Sequence, residues 1–294
     1  MAARLMCATD LTARSDHAVT RAALLAKQMS AKVLLVHAVD DSQPGRVIRM
    51  RANRAQARLM SQAERMMKHA SQDVEIAVRL GKPLQVIAGI AKEWSSDMVV
   101  MAAPRPHRRD YIIGTTAERV IRATHRPVLV VSTAAQDPYG RVVIASDPSE
   151  MSKQIARTVG AMGVLNGAYA WVVHSFDPPF RGLLTTEAHA ECEIEDHKRR
   201  WRDAVTSGLV RDLVGSGVDP NRIQVSVEAA RPVDAIHAAM SAVEPELLVI
   251  GVSRWFMLNR LLFGSVAQQV LQHAKCDVLA ISPAVRRKNW LRAA

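Results

Sequence analysis

The amino-acid sequence predicts an α/β fold, and three patterns in the chain support this prediction. Short apolar runs alternate with longer segments that have a helical apolar period. The runs are continuously apolar, as in strands that are buried on both faces of a parallel sheet. The whole series of elements then occurs a second time. We therefore expect two open, mostly parallel five-stranded sheets with flanking helices.

The first copy of the series contains five apolar runs that predict strands. They cover residues 4–9, 31–38, 74–78, 97–102 and 127–131. Segments of helical period separate them, at residues 15–29, 46–70 and 114–123. Gly81-Lys82-Pro83 predicts the start of a further helix, because proline is tolerated in a first helical turn. Strands and helices in this order form βαβ units with right-handed crossovers.

The second copy follows the first at a nearly constant interval. Asp147 ends a strand 137 positions after Asp10 does, and the segment WVVHSFD from Trp171 matches LLVHAVD from Leu34 at the same interval. Extra residues of the second copy are expected at 178–195. A repeat of this length predicts two domains rather than a solenoid. The predicted parts are residues 1–133, residues 141–284 and a basic tail at 285–294.

Composition places the chain among soluble globular proteins. It has 294 residues, of which 49% are hydrophobic, enough to form the cores of two domains. No apolar run approaches the roughly 18 residues of a membrane span, and no signal-peptide pattern opens the chain. We therefore expect a cytoplasmic protein without a membrane span. Cys7, Cys192 and Cys276 are widely spaced, which predicts buried free thiols rather than disulfides or a zinc site.

The net charge of +11 predicts attraction to anions, whether nucleic acid, anionic lipid or small phosphorylated molecules. The predicted helix at 46–70 is rich in arginine, and Arg51, Arg54, Arg58 and Arg65 share one of its faces. No base-reading motif accompanies them, and aromatic residues make up only 4% of the chain. We expect a solvated face, or one that meets the other copy, rather than a nucleic-acid partner.

The stretch from Leu247 to Val266 contains the strongest candidate for a binding site. An apolar run at 247–250 ends in Gly251, and Gly264-Ser265 then opens a segment of helical period. A strand, a loop and a helix N-terminus in this order can cradle a phosphate with backbone N–H groups and a hydroxyl. The alternative is that Gly264-Ser265 only caps the helix.

These segments resemble the universal stress protein family in its tandem two-domain form. The resemblance rests on MCATDLTARSDHAV and VIASDPSEMSKQI, on the Val-His pair in the second strand of each copy, and on Gly81-Lys82-Pro83. It implies the strand order 3-2-1-4-5 in each copy. It also implies pairing of the two copies through their final strands, 128–132 and 278–282. A further homodimer of the whole chain is compatible with it.

The loop is the most specific part of this resemblance. Family members that bind ATP have glycine, two residues, glycine, nine residues, glycine and then serine or threonine in this loop. The second copy has Gly251 and Gly264-Ser265 at the family's spacing, but Arg254 stands in place of the middle glycine. The first copy has Ala102 and Arg105 in place of both glycines, and its loop is one residue shorter.

The resemblance implies an adenine nucleotide site, ATP with Mg²⁺ held only through the nucleotide, mainly in the second copy. Asp147 and Ser175 would line the base side and Gly251 the ribose. The phosphates would lie against Arg254, Gly264, Ser265 and Val266. In the first copy the resemblance implies candidate site residues at Asp10, Val39, Arg105, Gly114, Thr115 and Thr116.

The predicted function is therefore a stress-response regulator that binds ATP. The alternative is a stress or interaction protein of the same fold that binds no nucleotide. The substitution of arginine for glycine in both loops is compatible with both hypotheses, ATP binding and no nucleotide binding, because a guanidinium can either contact phosphate or obstruct the site. We expect no dedicated catalytic centre, because no hydrolase, zincin or Walker motif is present, although slow ATP hydrolysis is compatible with the resemblance.

Two further pairs of equivalent residues have a simpler structural interpretation. His37 and His174 lie near the ends of buried strands, and we expect packed imidazoles that bond to the backbone. Asp10 and Asp147 can either contact a ligand or cap the turn that follows them. The sequence does not choose between these two roles.

Overall fold

The computed structural model describes residues 2–70, 73–103, 116–147, 149–176, 188–252 and 274–282. It confirms an α/β fold with mostly parallel strands. The residues fall into two compact units. The first contains Met1–Pro138, Met162–Val164 and Val252–Ala294, and the second contains Tyr139–Ala161 and Leu165–Gly251.

The first half of the chain alternates strands and helices as predicted. Its strands are β1 (Arg4–Ala8), β2 (Lys32–Val39), β3 (Val74–Leu80), β4 (Met98–Ala102) and β5 (Val128–Val131). Its helices are α1 (Ala13–Met29), α2 (Gly45–Ala70), α3 (Pro83–Glu93) and α4 (Thr116–Thr124). Proline opens α3, as the sequence predicts.

The second half contains the same series. Its strands are β6 (Arg141–Ala145), β7 (Tyr169–Ser175), β8 (Ile223–Glu228), β9 (Leu247–Gly251) and β10 (Asp277–Ile281). Its described helices are α5 (Glu150–Ala161), α6 (Ala188–Val214) and α7 (Pro232–Val243), with a short 3-10 turn at Pro220–Arg222. No helix among the described residues combines the length and the apolar character needed to cross a membrane.

The sheet of the first unit has the order β3-β2-β1-β4-β5, which confirms the expected 3-2-1-4-5 arrangement. These five strands are parallel, and β10 is added antiparallel to β5, with Leu279 opposite Leu129. In the second unit, β8-β7-β6-β9 repeat the order of the first four strands, again all parallel. The final strand of the second copy thus pairs with the final strand of the first, as the resemblance implies.

The cores consist of the apolar runs and the helix faces that cover them. In β1, Leu5, Met6 and Cys7 are fully buried, which matches a strand covered on both faces. The helix α1 buries Ala18, Ala22 and Leu25, at the spacing of one helical face. Cys276 is also buried, so the predicted burial is confirmed for Cys7 and Cys276, and neither takes part in a disulfide among the described residues. Cys192 lies outside the side chains that the structure describes.

Candidate functional site

The second unit brings three of the predicted site residues to one edge of its sheet. In the centre of the sheet, Ala145 of β6 is level with Val173 of β7 and with Ile250 of β9. Asp147 and Ser175 each lie two residues beyond this level, and Gly251 lies one residue beyond it. Parallel strands present their carboxyl ends at a common edge, where open α/β sheets bind ligands. The predicted base and ribose positions are therefore neighbours in the fold.

Asp147 is exposed and braces the turn that leads into α5. Its Oδ1 accepts a hydrogen bond from the Ser149 hydroxyl, and its backbone carbonyl accepts one from the Ser149 N–H at 2.8 Å. The Ser149 Oγ in turn accepts from the backbone N–H of Met151 at 3.1 Å, near the start of the helix. Ser149 thus caps the start of α5, and Asp147 supports this cap through Oδ1, while its exposure leaves the carboxylate accessible to a ligand.

Gly251 lies under the side chain of Met151. A Cβ atom built on Gly251 would come within 2.5 Å of the Met151 Cγ, 3.2 Å of its Sδ and 3.3 Å of the Ile155 Cδ1. Carbon atoms do not approach each other to 2.5 Å without displacement, so a side chain at this position would displace the Met151 side chain or the helix that carries it. Packing against Met151 therefore favours glycine at the first position of the loop pattern, whether or not a ribose approaches it.

Three rings gather beside Ser175. The centroid of the Trp201 ring, on α6, lies 5.6 Å from that of His174 and 4.7 Å from that of Phe176, and both pairs are tilted. These distances and angles are those of favourable aromatic contacts. The Phe176 N–H donates to the Glu228 carbonyl at 3.0 Å, which holds the chain just beyond β7 in place.

The two equivalent histidines bond to the backbone, as the sequence predicts. The Nδ1 atom of His37 lies 2.8 Å from the carbonyl oxygen of Thr9, and that of His174 lies 3.0 Å from the carbonyl oxygen of Ser146. A carbonyl only accepts hydrogen bonds, so Nδ1 carries the proton in both rings. Within the described part of the chain, the buried Nε2 of His174 has no hydrogen-bond partner.

In the first unit, Asp10 is held more firmly than its equivalent. Its Oδ1 accepts hydrogen bonds from the Thr12 N–H at 3.0 Å, from the Thr12 hydroxyl at 2.6 Å and from the Ser15 hydroxyl. Partial burial alone would raise the pKa of Asp10, but these hydrogen bonds, together with the nearby Arg14, lower it below its ordinary value. Asp10 thus stabilises the turn between β1 and α1.

The other predicted residues of the first copy do not form an equally complete set. Val39 is 3% exposed, so its side chain belongs to the core. Thr116 is exposed and opens α4. Several predicted site residues lie outside the described residues, namely Arg105, Gly114, Thr115, Arg254, Gly264, Ser265 and Val266.

No group of three or more His, Cys, Asp or Glu side chains suited to a metal ion occurs among the residues described. The Asp147 carboxylate alone would be a weak Mg²⁺ site, because Mg²⁺ in proteins is bound by one or two carboxylates together with substrate phosphates and water. A nucleotide would thus have to bring the ion with its phosphates.

Sequence reasoning missed Met151, Phe176 and Trp201. The repeat could have indicated Phe176, because it stands 137 positions after Val39, whereas Ser175 corresponds to Ala38. Nothing in the local sequence indicates that Trp201 reaches the end of β7 or that Met151 lies over Gly251. Both contacts depend on how a helix packs on the sheet.

Comparisons with known proteins agree with the repeat. The model of the universal stress protein family matches the chain twice, over residues 1–132 and 138–282. A curated universal stress protein of Thermus aquaticus is 24% identical over 143 residues, which cover 49% of this chain and 98% of the relative. A universal stress protein of Synechocystis is 23% identical over 158 residues, with 49% of this chain and 97% of the relative covered.

Solved structures show the same fold. A universal stress protein from Archaeoglobus fulgidus superimposes with a TM-score of 0.68 at 15% identity, over 97% of this chain and 98% of the other. A functionally unknown protein of Pseudomonas aeruginosa superimposes with a TM-score of 0.67 at 16% identity, over 95% and 92%. At such identities the likeness concerns the fold alone.

Proposed function

The chain belongs to the universal stress protein family, and on that basis we propose that it is a cytoplasmic stress-response regulator that binds an adenine nucleotide, ATP with Mg²⁺, mainly in its second repeat. In this proposal residues 1–133 and 141–284 are two domains that pair within the chain, and the whole chain can dimerise further. The function is binding, and it requires no catalytic residue.

One observation carries the proposal: Asp147, Ser175 and Gly251 meet at the carboxyl edge of the sheet in the second unit. The exposed Asp147 carboxylate can accept a hydrogen bond from an amino group of the base, and the Ser175 hydroxyl can donate or accept. The rings of Phe176 and Trp201 supply an apolar wall beside them, suited to the face of a purine. Gly251 would lie on the ribose side.

The phosphates would lie against Arg254, Gly264, Ser265 and Val266, beyond the described residues. In this part of the proposal the Arg254 guanidinium replaces the N–H contacts that a loop glycine would give. A bidentate contact between guanidinium and phosphate is strong enough for this role. The first repeat, with Val39 in the core and Ala102 and Arg105 in its loop, would bind nucleotide weakly or not at all.

The second candidate function, an interaction protein that binds no nucleotide, is favoured by the position of Met151. Its side chain covers the Cβ side of Gly251, so the glycine is explained without a ligand. In that case the loops would serve packing or partner binding. The two functions differ in a simple property of the purified protein, which is its affinity for ATP.

Isothermal titration of the full chain with Mg-ATP tests the proposal. We expect one ATP per chain, and we expect Asp147→Asn to weaken binding about tenfold, because a hydrogen bond to a charged group contributes about 1.5–3 kcal/mol. The matched control is Asp10→Asn, the equivalent change in the first repeat, which should leave the affinity unchanged. Protein that purifies without nucleotide, and whose melting temperature millimolar Mg-ATP does not raise, would support the second candidate function instead.

Two variants of Arg254 test the phosphate side of the site. If the guanidinium contacts phosphate, Arg254→Ala weakens ATP binding, while Arg254→Gly retains part of it by restoring the family's loop pattern. Tighter binding by both variants would instead show that the arginine obstructs the site.

A further inference from the structure

The helix α2 carries an unusual concentration of positive charge on its solvent side. Its 26 residues include seven Lys or Arg residues and a single acid, Glu64. All seven cations are exposed to solvent. They are Arg46, Arg49, Arg51, Arg54, Arg58, Arg65 and Lys68.

These charges are not neutralised by their neighbours. Among the residues that the structure describes, none of the seven forms an ion pair, and Arg65 donates only to the Ser61 hydroxyl at 3.0 Å. The pKa of Asp40 is lowered mainly by hydrogen bonds from Ser42 and further by the positive charges of Arg51 and Lys82. Asp16 of α1 accepts a hydrogen bond from Gln62 of α2 at 2.8 Å. Cations crowded in this way repel one another unless an anion lies between them.

The equivalent helix of the second repeat serves as an internal comparison. In α6, five Lys or Arg residues stand beside six acids, and Arg200 pairs with Asp196 one helical turn away. Both helices cover the same part of the same fold. The basic charge of α2 is therefore a property of the first repeat and not a requirement of the architecture.

Four of the arginines form a strip along the helix, which we call the α2 arginine strip: Arg51, Arg54, Arg58 and Arg65. An α-helix turns by about 100° and rises by about 1.5 Å per residue. The four arginines therefore lie within about 60° of arc around the helix axis and extend over about 21 Å along it. The apolar side of α2 is occupied, since Ala55, Leu59, Ala63 and Met66 are buried. Because its apolar side is buried against the rest of the fold, α2 cannot insert an apolar face into a lipid surface.

The chemistry of the strip fits a regular row of phosphates. Arginine makes bidentate contacts with phosphate, and the strip contains no lysine. Single-stranded nucleic acid is bound mainly by stacking on aromatic rings, and α2 has no Phe, Tyr or Trp. A duplex offers its phosphates on a rigid outer surface and needs neither rings nor a base-reading motif, because phosphate contacts carry no sequence information. The absence of such a motif therefore excludes sequence-specific reading but not backbone binding.

We propose that the α2 arginine strip is a docking surface for the backbone of double-stranded DNA, bound without sequence preference. The surface belongs to the first repeat, and the inference is independent of nucleotide binding in the second. About 21 Å of strip corresponds to about six base pairs along one strand, at 3.4 Å per phosphate.

The test is fluorescence anisotropy of the full-length protein with a labelled 30-base-pair duplex of arbitrary sequence, between 50 and 200 mM salt. One variant carries glutamine at positions 51, 54, 58 and 65. The matched control carries glutamine in α6 at Arg199, Arg200, Arg202 and Arg211. Each variant removes four arginines, so the net charge falls from +11 to +7 in both.

We expect the strip variant to lose about tenfold or more in affinity at 50 mM salt, and the log–log salt slope to become shallower by about 3 to 4, as for four lost phosphate contacts. The α6 variant should keep nearly the slope of the unmodified chain. A strip variant with four lysines should retain most of the binding.

Three results would overturn the proposal. Equal losses in the two glutamine variants would mean that net charge alone attracts DNA. Tighter binding of single-stranded DNA, duplex RNA or vesicles with an anionic lipid would identify a different occupant. If the unmodified chain does not bind the duplex at 50 mM salt, the strip is not a DNA-binding surface. Circular dichroism of each variant verifies that the fold is intact.

Discussion

Asp10 and Asp147 hold the same position in the two repeats but differ in how strongly the surrounding turn binds them. The Asp10 Oδ1 accepts three hydrogen bonds, from two groups of Thr12 and from Ser15. The Asp147 Oδ1 accepts one, from Ser149. The acid of the first repeat is thereby committed to its turn, whereas that of the second is freer to meet a ligand. Divergence of the two sites is thus visible in a single pair of equivalent residues.

The lowered pKa of Asp10 predicts a specific pH dependence of stability. A carboxyl group whose pKa is lower in the folded state stabilises the fold above its unfolded pKa, and this stabilisation is lost as the pH falls through the folded value. Urea unfolding should therefore show the unmodified chain more stable than Asp10→Asn at pH 7, by an amount that shrinks as the pH falls from about 5 towards 2. A difference that stays constant over this range would show that the charge of Asp10 has no part in the turn.

Some of these residue-level features could be predicted from the sequence and others could not. The backbone partners of His37 and His174 follow from their place on buried strands, and the structure confirms them. Gly251 was predicted from the loop pattern, but its contact with Met151 was not, because that contact depends on the distance between a helix and the sheet. The repeat predicts which residues are equivalent, whereas only packing decides what each one touches.

Among the secondary-structure elements, β10 is the strand through which the second repeat pairs with the first, as the resemblance implies. It belongs to the second repeat by sequence, yet it lies in the first unit and pairs antiparallel with β5. Its first residue, Asp277, is fully buried and bonds to Arg21 of α1, with Nε 3.2 Å from Oδ2 and the Arg21 side chain 5% exposed. The other carboxylate oxygen accepts from the N–H groups of Ser132 and Thr133. The Asp277 carboxylate therefore holds β10, α1 and the end of β5 together.

Removal of the Arg21 charge should consequently be costly. Arg21→Met leaves the Asp277 carboxylate buried beside an apolar side chain, and breaking a buried pair in this way costs about 3–5 kcal/mol of unfolding free energy. Lys27→Met, on the exposed side of the same helix, is the control and should stay within about 0.5 kcal/mol. Chemical unfolding followed by circular dichroism measures both. A loss below about 1 kcal/mol for Arg21→Met would mean that water or a neighbouring group compensates the carboxylate.

The order and type of the elements could be predicted because the signals are local. Continuous apolar runs, helical periods and the Gly81-Lys82-Pro83 signal predicted every described strand and helix of the first half, and the strand ends differ from those expected by at most two residues. The pairing of Asp277 with Arg21 was not foreseen. The two residues are 256 positions apart in the sequence, and neither repeat alone suggests the pair, since Asp277 corresponds to Pro127 in the first copy.

For the molecule as a whole, the two repeats have kept one fold and diverged in opposite ways at their surfaces. The first repeat has a strongly basic helix α2 and a loop in which two glycines of the family pattern are replaced. The second has a charge-balanced helix α6 and retains Gly251 and Gly264. Duplication thus allows one copy to change its charge while the other keeps more of the glycines of the family's loop pattern.

This asymmetry predicts where a nucleotide protects the chain. Hydrogen exchange of the full-length protein, with and without saturating Mg-ATP, should slow in peptides that cover residues 142–152, 169–176 and 245–252, because their backbone borders the carboxyl edge that carries Asp147, Ser175 and Gly251. The equivalent peptides of the first repeat, residues 4–16, 32–40 and 98–103, are the internal control and should be unaffected, since Asp10 is committed to its turn and Val39 to the core. Equal protection of both sets would show that each repeat binds ATP despite the loss of its glycines. Protection of neither set would mean that the chain does not bind ATP. Packing under Met151 would then account for Gly251, and the loop of the second repeat would serve packing rather than nucleotide binding.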